Sequence, residues 1–366
     1  METISFARGV PGPQLLPIEE LADCAKAAIE RDGASALLYG HTLGYQPLRE
    51  WIGQRHGVDP SRVVVTNGSL QAFHFVLSVF GNAGVIVERP TYDRPRKILS
   101  RFDEVSLDDD GLDVDELERL LDHVSPPAFL YTIPTFQNPA GVTLSEERRR
   151  RLVELAAARS LRILEDDPYG LVRFEGESLP TLFELEGGRH VMYSSSFSKT
   201  IAPGLRVGYV IVPEDVSAGL EDFVASTYIS PALVTQATVL EFLRRGLLEP
   251  NLERVRGLLR ERRDAMLAAL ERELSGRARW SRPEGGYFLW LELPVDTDAG
   301  ELLGRATAAG VTFVPGSDFG GEASTARLAF SFASPAEIDE GVSRLAGLVG
   351  AAMSSFVSGG SQTKQA

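Results

Sequence analysis

The chain has 366 residues, 43% hydrophobic and 24% charged, and its 51 acidic against 37 basic side chains give a formal net charge of -14. That balance excludes a general nucleic-acid binder, which needs a basic face to displace counterions from phosphate. No apolar run is long enough for a bilayer helix, the opening METISFARGVPGPQ lacks the basic and apolar regions of a signal peptide, and a single cysteine, Cys24, excludes an internal disulfide framework. The expected setting is the cytoplasm, with no membrane attachment.

Length predicts about two domains. After an irregular, Pro-rich opening over 9–17, the β-branched run Val63–Thr66 reads as a strand, Asn67-Gly68-Ser69 breaks it, and 70–80 has helical apolar spacing. Short apolar runs recur at 85–87, 128–133, 162–164, 191–193 and 207–212, with helical patterns such as Glu146–Arg159 between some of them. Alternation of this kind predicts an α/β fold with a mostly parallel sheet and flanking helices. The arginines at 148–151 follow Ser145-Glu146-Glu147 and read as one solvated face of a helix. From about residue 249 the pattern changes to a long amphipathic helix (251–274), a strand-like GGYFLWLEL (285–293), a helix (299–309), the runs VTFVP and ARLAFSF, and a last helix opening at Ser334. Ser334-Pro335-Ala336-Glu337 supplies a cap, a proline at the first position and a glutamate three residues after the cap. The expected division is an N-terminal arm with part of the small domain (1–38), a large domain (39–248), a smaller α+β C-terminal domain (249–353) and a polar, disordered tail (354–366).

Several segments carry chemistry. Thr66-Asn67-Gly68-Ser69-Leu70-Gln71 joins a strand to a helix, so free N–H groups converge there and favour an anion, although any strand-turn-helix with a glycine shares this geometry. No GxGxxG or GxxxxGK[ST] pattern occurs, which argues against dinucleotide and P-loop nucleotide sites. Glu165-Asp166-Asp167 places acids where a buried strand runs out, either to keep a ligand's ring nitrogen protonated or merely to solvate a loop. The five histidines show no zinc-type spacing with these acids or Cys24, and no metal is expected. Pro134-Thr135-Phe136-Gln137-Asn138-Pro139-Ala140-Gly141 is dense in turn formers, so Asn138 is held where its amide can reach a ring oxygen, or else simply makes a turn. Lysine is scarce: only Lys26, Lys97, Lys199 and Lys364 occur. Unlike arginine, a desolvated lysine amine can attack a carbonyl, which makes Lys199 the candidate covalent anchor for an aldehyde cofactor.

The order of these segments, with the strings TIPTFQNPAGVTL, EDDPY and SFSKTIAPGLRVGY, resembles the fold-type I pyridoxal-phosphate enzymes, specifically class I aminotransferases of the α-aminoadipate aminotransferase-like branch. The likeness runs from FARGVPGPQLLP to ARLAFSF. It implies pyridoxal 5'-phosphate as cofactor, joined to Lys199 as an internal aldimine, with 39–248 as the domain that binds it. It implies a phosphate cup of Gly68, Ser69, Leu70, Ser196, Ser198 and Arg206, and pairing of Asp166 with the pyridinium nitrogen. Asn138 and Tyr169 would bond the phenolic oxygen, and Tyr92 would stack on the ring. Tyr39 would reach the phosphate of a neighbouring subunit, which implies a homodimer with shared active sites. Arg327 and the backbone of Gly9 would hold the substrate α-carboxylate together with Asn138, and Arg8 would either meet the substrate side chain, where it could clamp a distal carboxylate, or be a surface arginine. The implied activity is ping-pong transfer of an amino group between an L-amino acid and a 2-oxo acid, with glutamate and 2-oxoglutarate as one pair. A replacement, cyclisation or decarboxylation on the same scaffold uses the same residues and stays open, as does the identity of the donor. A transcription regulator with such a domain as sensor would carry a DNA-binding segment ahead of it, and none is expected because FARGVP starts at Phe6.

Overall fold

Apolar runs bounded by turn formers become the strands of an eight-stranded sheet in the computed structural model, which describes residues 3–81 and 84–359. From edge to edge the strands are Val63–Thr66, Gly208–Ile211, Val191–Ser196, Ile163–Asp166, Phe129–Thr132, Val85–Arg89, Phe102–Asp108 and Gly111–Leu112. All central pairs are parallel. Gly208–Ile211 runs antiparallel to both of its neighbours, so Val63–Thr66 points the same way as the central strands. Their carboxyl ends therefore share one edge, and the residues just before Gly208 return to that same edge.

Val63–Thr66, Phe129–Thr132, Ile163–Asp166 and Gly208–Ile211 are buried along their whole length, which explains why they read as continuous apolar runs rather than alternating ones. Alternate side chains serve opposite faces. Val63, Val65, Ile86, Leu130 and Ile163 join one core, while Val64, Val85, Val87, Phe129, Tyr131 and Leu164 join the other. Phe102–Asp108 was not legible as a strand because FDEVSLD is polar and only partly buried near the sheet's edge.

A second, four-stranded antiparallel sheet orders Arg279–Trp280, Phe288–Glu292, Thr325–Ala329 and Val314–Pro315. Leu252, Val255, Leu259, Met266 and Leu270 of the helix Leu248–Leu274 pack into its core. So do Ile4, Phe6 and Leu15 from the N-terminal segment. The helix Ile18–Leu37 goes elsewhere: its Cys24, Ala28 and Ala36 share the large-sheet core with Leu233, Ala237 and Leu240. The segment 1–38 therefore contributes to both cores, its first part to that of the small sheet and Ile18–Leu37 to that of the large one. The expected cap forms at the last helix, with Ser334 N donating to Glu337 Oε2 at 2.7 Å and Glu337 N to Ser334 Oγ at 3.3 Å. That helix runs from Pro335 to Gly359, past Ser354 where a disordered tail was expected, and residues 360–366 lie outside the described residues.

Candidate active site

The shared carboxyl edge opens into a cavity of about 380 Å³ between the two sheets. Its wall brings together Gly68, Ser69, Leu70, Tyr92, Asn138, Asp166, Tyr169, Ser196, Ser198, Lys199, Arg206, Gly9 and Arg327. Topology accounts for the convergence, since each residue follows or ends a strand at that edge or, for Arg206, leads into the antiparallel Gly208–Ile211 there, apart from Gly9 and Arg327, which come from the small-sheet side.

At one end, the helix Ser69–Phe80 begins directly after Gly68, leaving the N–H groups of Ser69 and Leu70 without intrahelical acceptors. Gly68 has φ +97° and ψ 164°, and a Cβ there would collide with Arg206 Nη2. Arg206, itself left-handed at φ 53°, donates to Asn67 O, to Pro203 O at 3.1 Å and to Ser198 Oγ at 3.4 Å. Ser196 Oγ donates to Ser198 Oγ at 2.8 Å. Two hydroxyls, a guanidinium and two free amides at a helix start form an anion cup.

Asp166 lies midway. Tyr131 donates to its Oδ2 at 2.8 Å, while Oδ1 is buried without a partner. Burial pushes its carboxyl up to about 7, with the Tyr131 hydrogen bond opposing and the Asp167 charge adding to the rise. An unpaired carboxylate oxygen in a cavity wall is costly unless a ligand donates to it. Glu165 and Asp167, the flanking acids, serve the fold: Glu165 accepts from Leu182 N and Phe183 N, and Asp167 from Tyr193 Oη and Gly170 N. Glu88, also buried and pushed up to about 7 by its burial, accepts from Thr132, Ile133 N and Gln137, and so braces the loop that carries Asn138. Sequence reading missed Glu88 and Tyr131; an acid ending the apolar run 85–87 was the available signal for the first.

Lys199 Nζ sits 5.2 Å from the Tyr287 ring centre and 5.9 Å from that of Tyr169, and donates to Gly9 O at 2.6 Å. Burial lowers its amine from 10.5 to about 8, and the nearby Arg327 and Arg206 charges push the same way. Arg327 lies between the rings of Phe288 at 4.1 Å and Phe319 at 4.8 Å. It donates to Asn138 Oδ1 at 2.9 Å and Ala7 O at 3.0 Å, and its Nε has no partner. Gly9 is required beside it, because a Cβ would come within 2.6 Å of the Phe288 ring. Two expected residues stand apart: Arg8 is exposed and stacks on Phe332 at 4.8 Å, outside the cavity wall, and Tyr39 is 80% exposed.

The chain matches the family aminotransferase class I and II over residues 12–345. The chain is an aminotransferase of this family. It is 39% identical to the 2-aminoadipate transaminase of Thermus thermophilus over 93% of this chain and 89% of that protein. It is 36% identical to aromatic-amino-acid aminotransferase 1 of Thermococcus litoralis, over 94% of this chain and 87% of that protein. Among solved structures, the α-aminoadipate aminotransferase of Thermus thermophilus complexed with N-(5'-phosphopyridoxyl)-L-leucine superposes with a TM-score of 0.91 at 38% identity, covering 96% of this chain and 93% of that one. The aminotransferase has the fold-type I architecture and uses pyridoxal phosphate as cofactor to transfer amino groups. The anion cup, the unpaired Asp166 Oδ1 and the desolvated Lys199 fit that cofactor. Among the described residues no helix is long and apolar enough to cross a membrane.

Proposed function

We propose that the aminotransferase passes the amino group of an L-amino acid to a 2-oxo acid at this cavity, with glutamate and 2-oxoglutarate as one pair and ping-pong kinetics. The observation that carries this reading is the meeting, in one cavity wall, of a desolvated lysine amine, a buried carboxylate with one oxygen unpaired and a guanidinium held between two rings. When bound, the cofactor supplies an electron sink for charge leaving the substrate α-carbon.

The chain's own residues do the rest. Gly68, Ser69, Leu70, Ser196, Ser198 and Arg206 would hold the cofactor's phosphate through backbone and side-chain donors. With the cofactor bound, Asp166 Oδ1 would accept from its ring nitrogen, Asn138 and Tyr169 would donate to its phenolic oxygen, and Tyr92 would cover the ring. Arg327 exchanges its contacts with Asn138 and Ala7 for two parallel hydrogen bonds to the substrate α-carboxylate, beside the Gly9 backbone. Lys199, with an amine near 8, loses its proton at modest cost and can take one from the substrate α-carbon and return it.

Leu37, Leu38, Tyr39 and Ile229 are 63%, 68%, 80% and 67% exposed. Gly40 N donates to Ser230 Oγ at 3.2 Å and Thr42 Oγ1 to Ile229 O at 3.4 Å, which joins them into one apolar patch. The patch supports a homodimer in which Tyr39 of each copy serves the other's phosphate site; sedimentation of the chain and of Leu38→Asp, expected dimeric and monomeric respectively, tests it. The single Cys24, buried and free, supports a cytoplasmic setting. A panel of L-amino acids incubated with 2-oxoglutarate tests the reaction. Equal amounts of glutamate and 2-oxo acid are expected, whereas product without matching glutamate contradicts the proposed pair.

A further inference from the structure

Tyr131 stands directly behind Asp166. It is 1% exposed in the strand Phe129–Thr132, whose neighbour Ile163–Asp166 ends in that acid. Pairing sets Tyr131 opposite Leu164 and Thr132 opposite Glu165, and side chains alternate, so Tyr131, Leu164 and Asp166 face the same side of the sheet. The Tyr131 hydroxyl donates to Asp166 Oδ2 at 2.8 Å, and Phe73, from the helix that begins at the anion cup, packs edge-on against its ring at 5.1 Å. Tyr131 does not line the cavity, whereas Asp166 does.

We propose that Tyr131 is a positioning residue, whose hydroxyl occupies Asp166 Oδ2 so that an ionised Oδ1 is presented to the cofactor's ring nitrogen. The inference rests on the reading of Asp166 given above. Burial alone favours the neutral acid, and the charges of Asp167 and Glu88 push in the same direction. Tyr131 is the largest opposing influence and Ser69 the second. Burial holds the Tyr131 phenol well above its ordinary range, so it remains a donor. Without it, the carboxyl keeps its proton at higher pH and loses the hydrogen bond that fixes its rotation, and a ring nitrogen then gains less from facing it.

The test compares two ligands on the full chain freed of cofactor: pyridoxamine 5'-phosphate, and its analogue with C–H in place of the ring nitrogen. The chain is expected to prefer the nitrogen-bearing ligand, and Tyr131→Phe, which retains the ring packed on Phe73, is expected to reduce that preference about tenfold or more. The dissociation constant of the carbon analogue is expected to stay unchanged. Equal weakening of both ligands overturns the proposal, because it is the signature of a merely structural role. Asp166→Asn separates the two layers of the inference. Preference lost in Asp166→Asn but kept in Tyr131→Phe overturns the role of Tyr131 alone, and preference kept in Asp166→Asn overturns the reading of Asp166 beneath it. Far-UV circular dichroism and a thermal melt on each variant establish folding, and Tyr131→His supplies a second side chain with a ring and an N–H donor. Restored preference in Tyr131→His over Tyr131→Phe supports the proposal, and a Tyr131→His that folds with no more preference than the phenylalanine variant counts against it.

Discussion

Replacing Gly68 by alanine tests the anion cup most sharply. At φ +97° and ψ 164° the residue occupies a region essentially restricted to glycine, where a side chain costs about 1–3 kcal/mol. The new Cβ also collides with Arg206 Nη2 and lies 3.2 Å from its Cζ, so the guanidinium must leave the cup. A hydrogen bond to a charged group contributes about 1.5–3 kcal/mol, and about 1.4 kcal/mol is tenfold in affinity, so binding of pyridoxal phosphate should weaken about 10- to 100-fold. The assay titrates cofactor-free Gly68→Ala by absorbance with pyridoxal phosphate and with pyridoxal, which lacks the phosphate. Gly57→Ala is the control, since its φ of +66° imposes strain while nothing lies within 4 Å of the added Cβ. Loss confined to the phosphorylated ligand and to Gly68→Ala is expected. Unchanged affinity for pyridoxal phosphate, or equal loss for both ligands, refutes the reasoning.

Arg327→Lys should raise the KM for amino acids about 10- to 100-fold, because a point charge replaces a planar fork, while affinity for pyridoxal phosphate stays unchanged by equilibrium titration. The Lys199 amine falls to about 8 in the folded chain from 10.5, so between these values the unfolded state binds more protons and folding stability increases with pH. Denaturation of the cofactor-free chain should show a gain of up to about 3 kcal/mol across that window relative to Lys199→Met, the cavity's openness to solvent reducing it further. Arg8→Ala should change the ratio of kcat/KM for dicarboxylic over aromatic amino acids by no more than about twofold, because it removes an exposed contact with Phe332 rather than a cavity wall.

What could be read from the chain was local. Val63–Thr66, the break at Asn67-Gly68-Ser69 and the capped helix at Ser334 all depend on neighbours within a few residues, and each appears where its pattern implies. Gly68, Asn138, Asp166 and Lys199 were legible because each follows or ends an apolar run, and parallel strands bring such positions to one edge, whereas Tyr92, Arg206, Gly9 and Arg327 came only from the resemblance to the family. Tyr131 was not, since its contact with Asp166 depends on the register of two strands separated by the helix Glu146–Arg159. The orientation of Arg8 depends on Phe332, more than three hundred residues further along, so no local pattern could decide between a side-chain clamp and a surface arginine. Burial of Ile18–Leu37 against Leu233–Arg244 is likewise a distant pairing, invisible in the arm's own composition.

The central claim is that Lys199 is the covalent anchor. Borohydride reduction of the cofactor-loaded protein, followed by digestion and mass spectrometry, tests it directly. A phosphopyridoxyl adduct on the peptide containing Lys199, absent from Lys199→Ala, is the expected result; an adduct on Lys26, Lys97 or Lys364 instead, or a reducible linkage retained in Lys199→Ala, contradicts it.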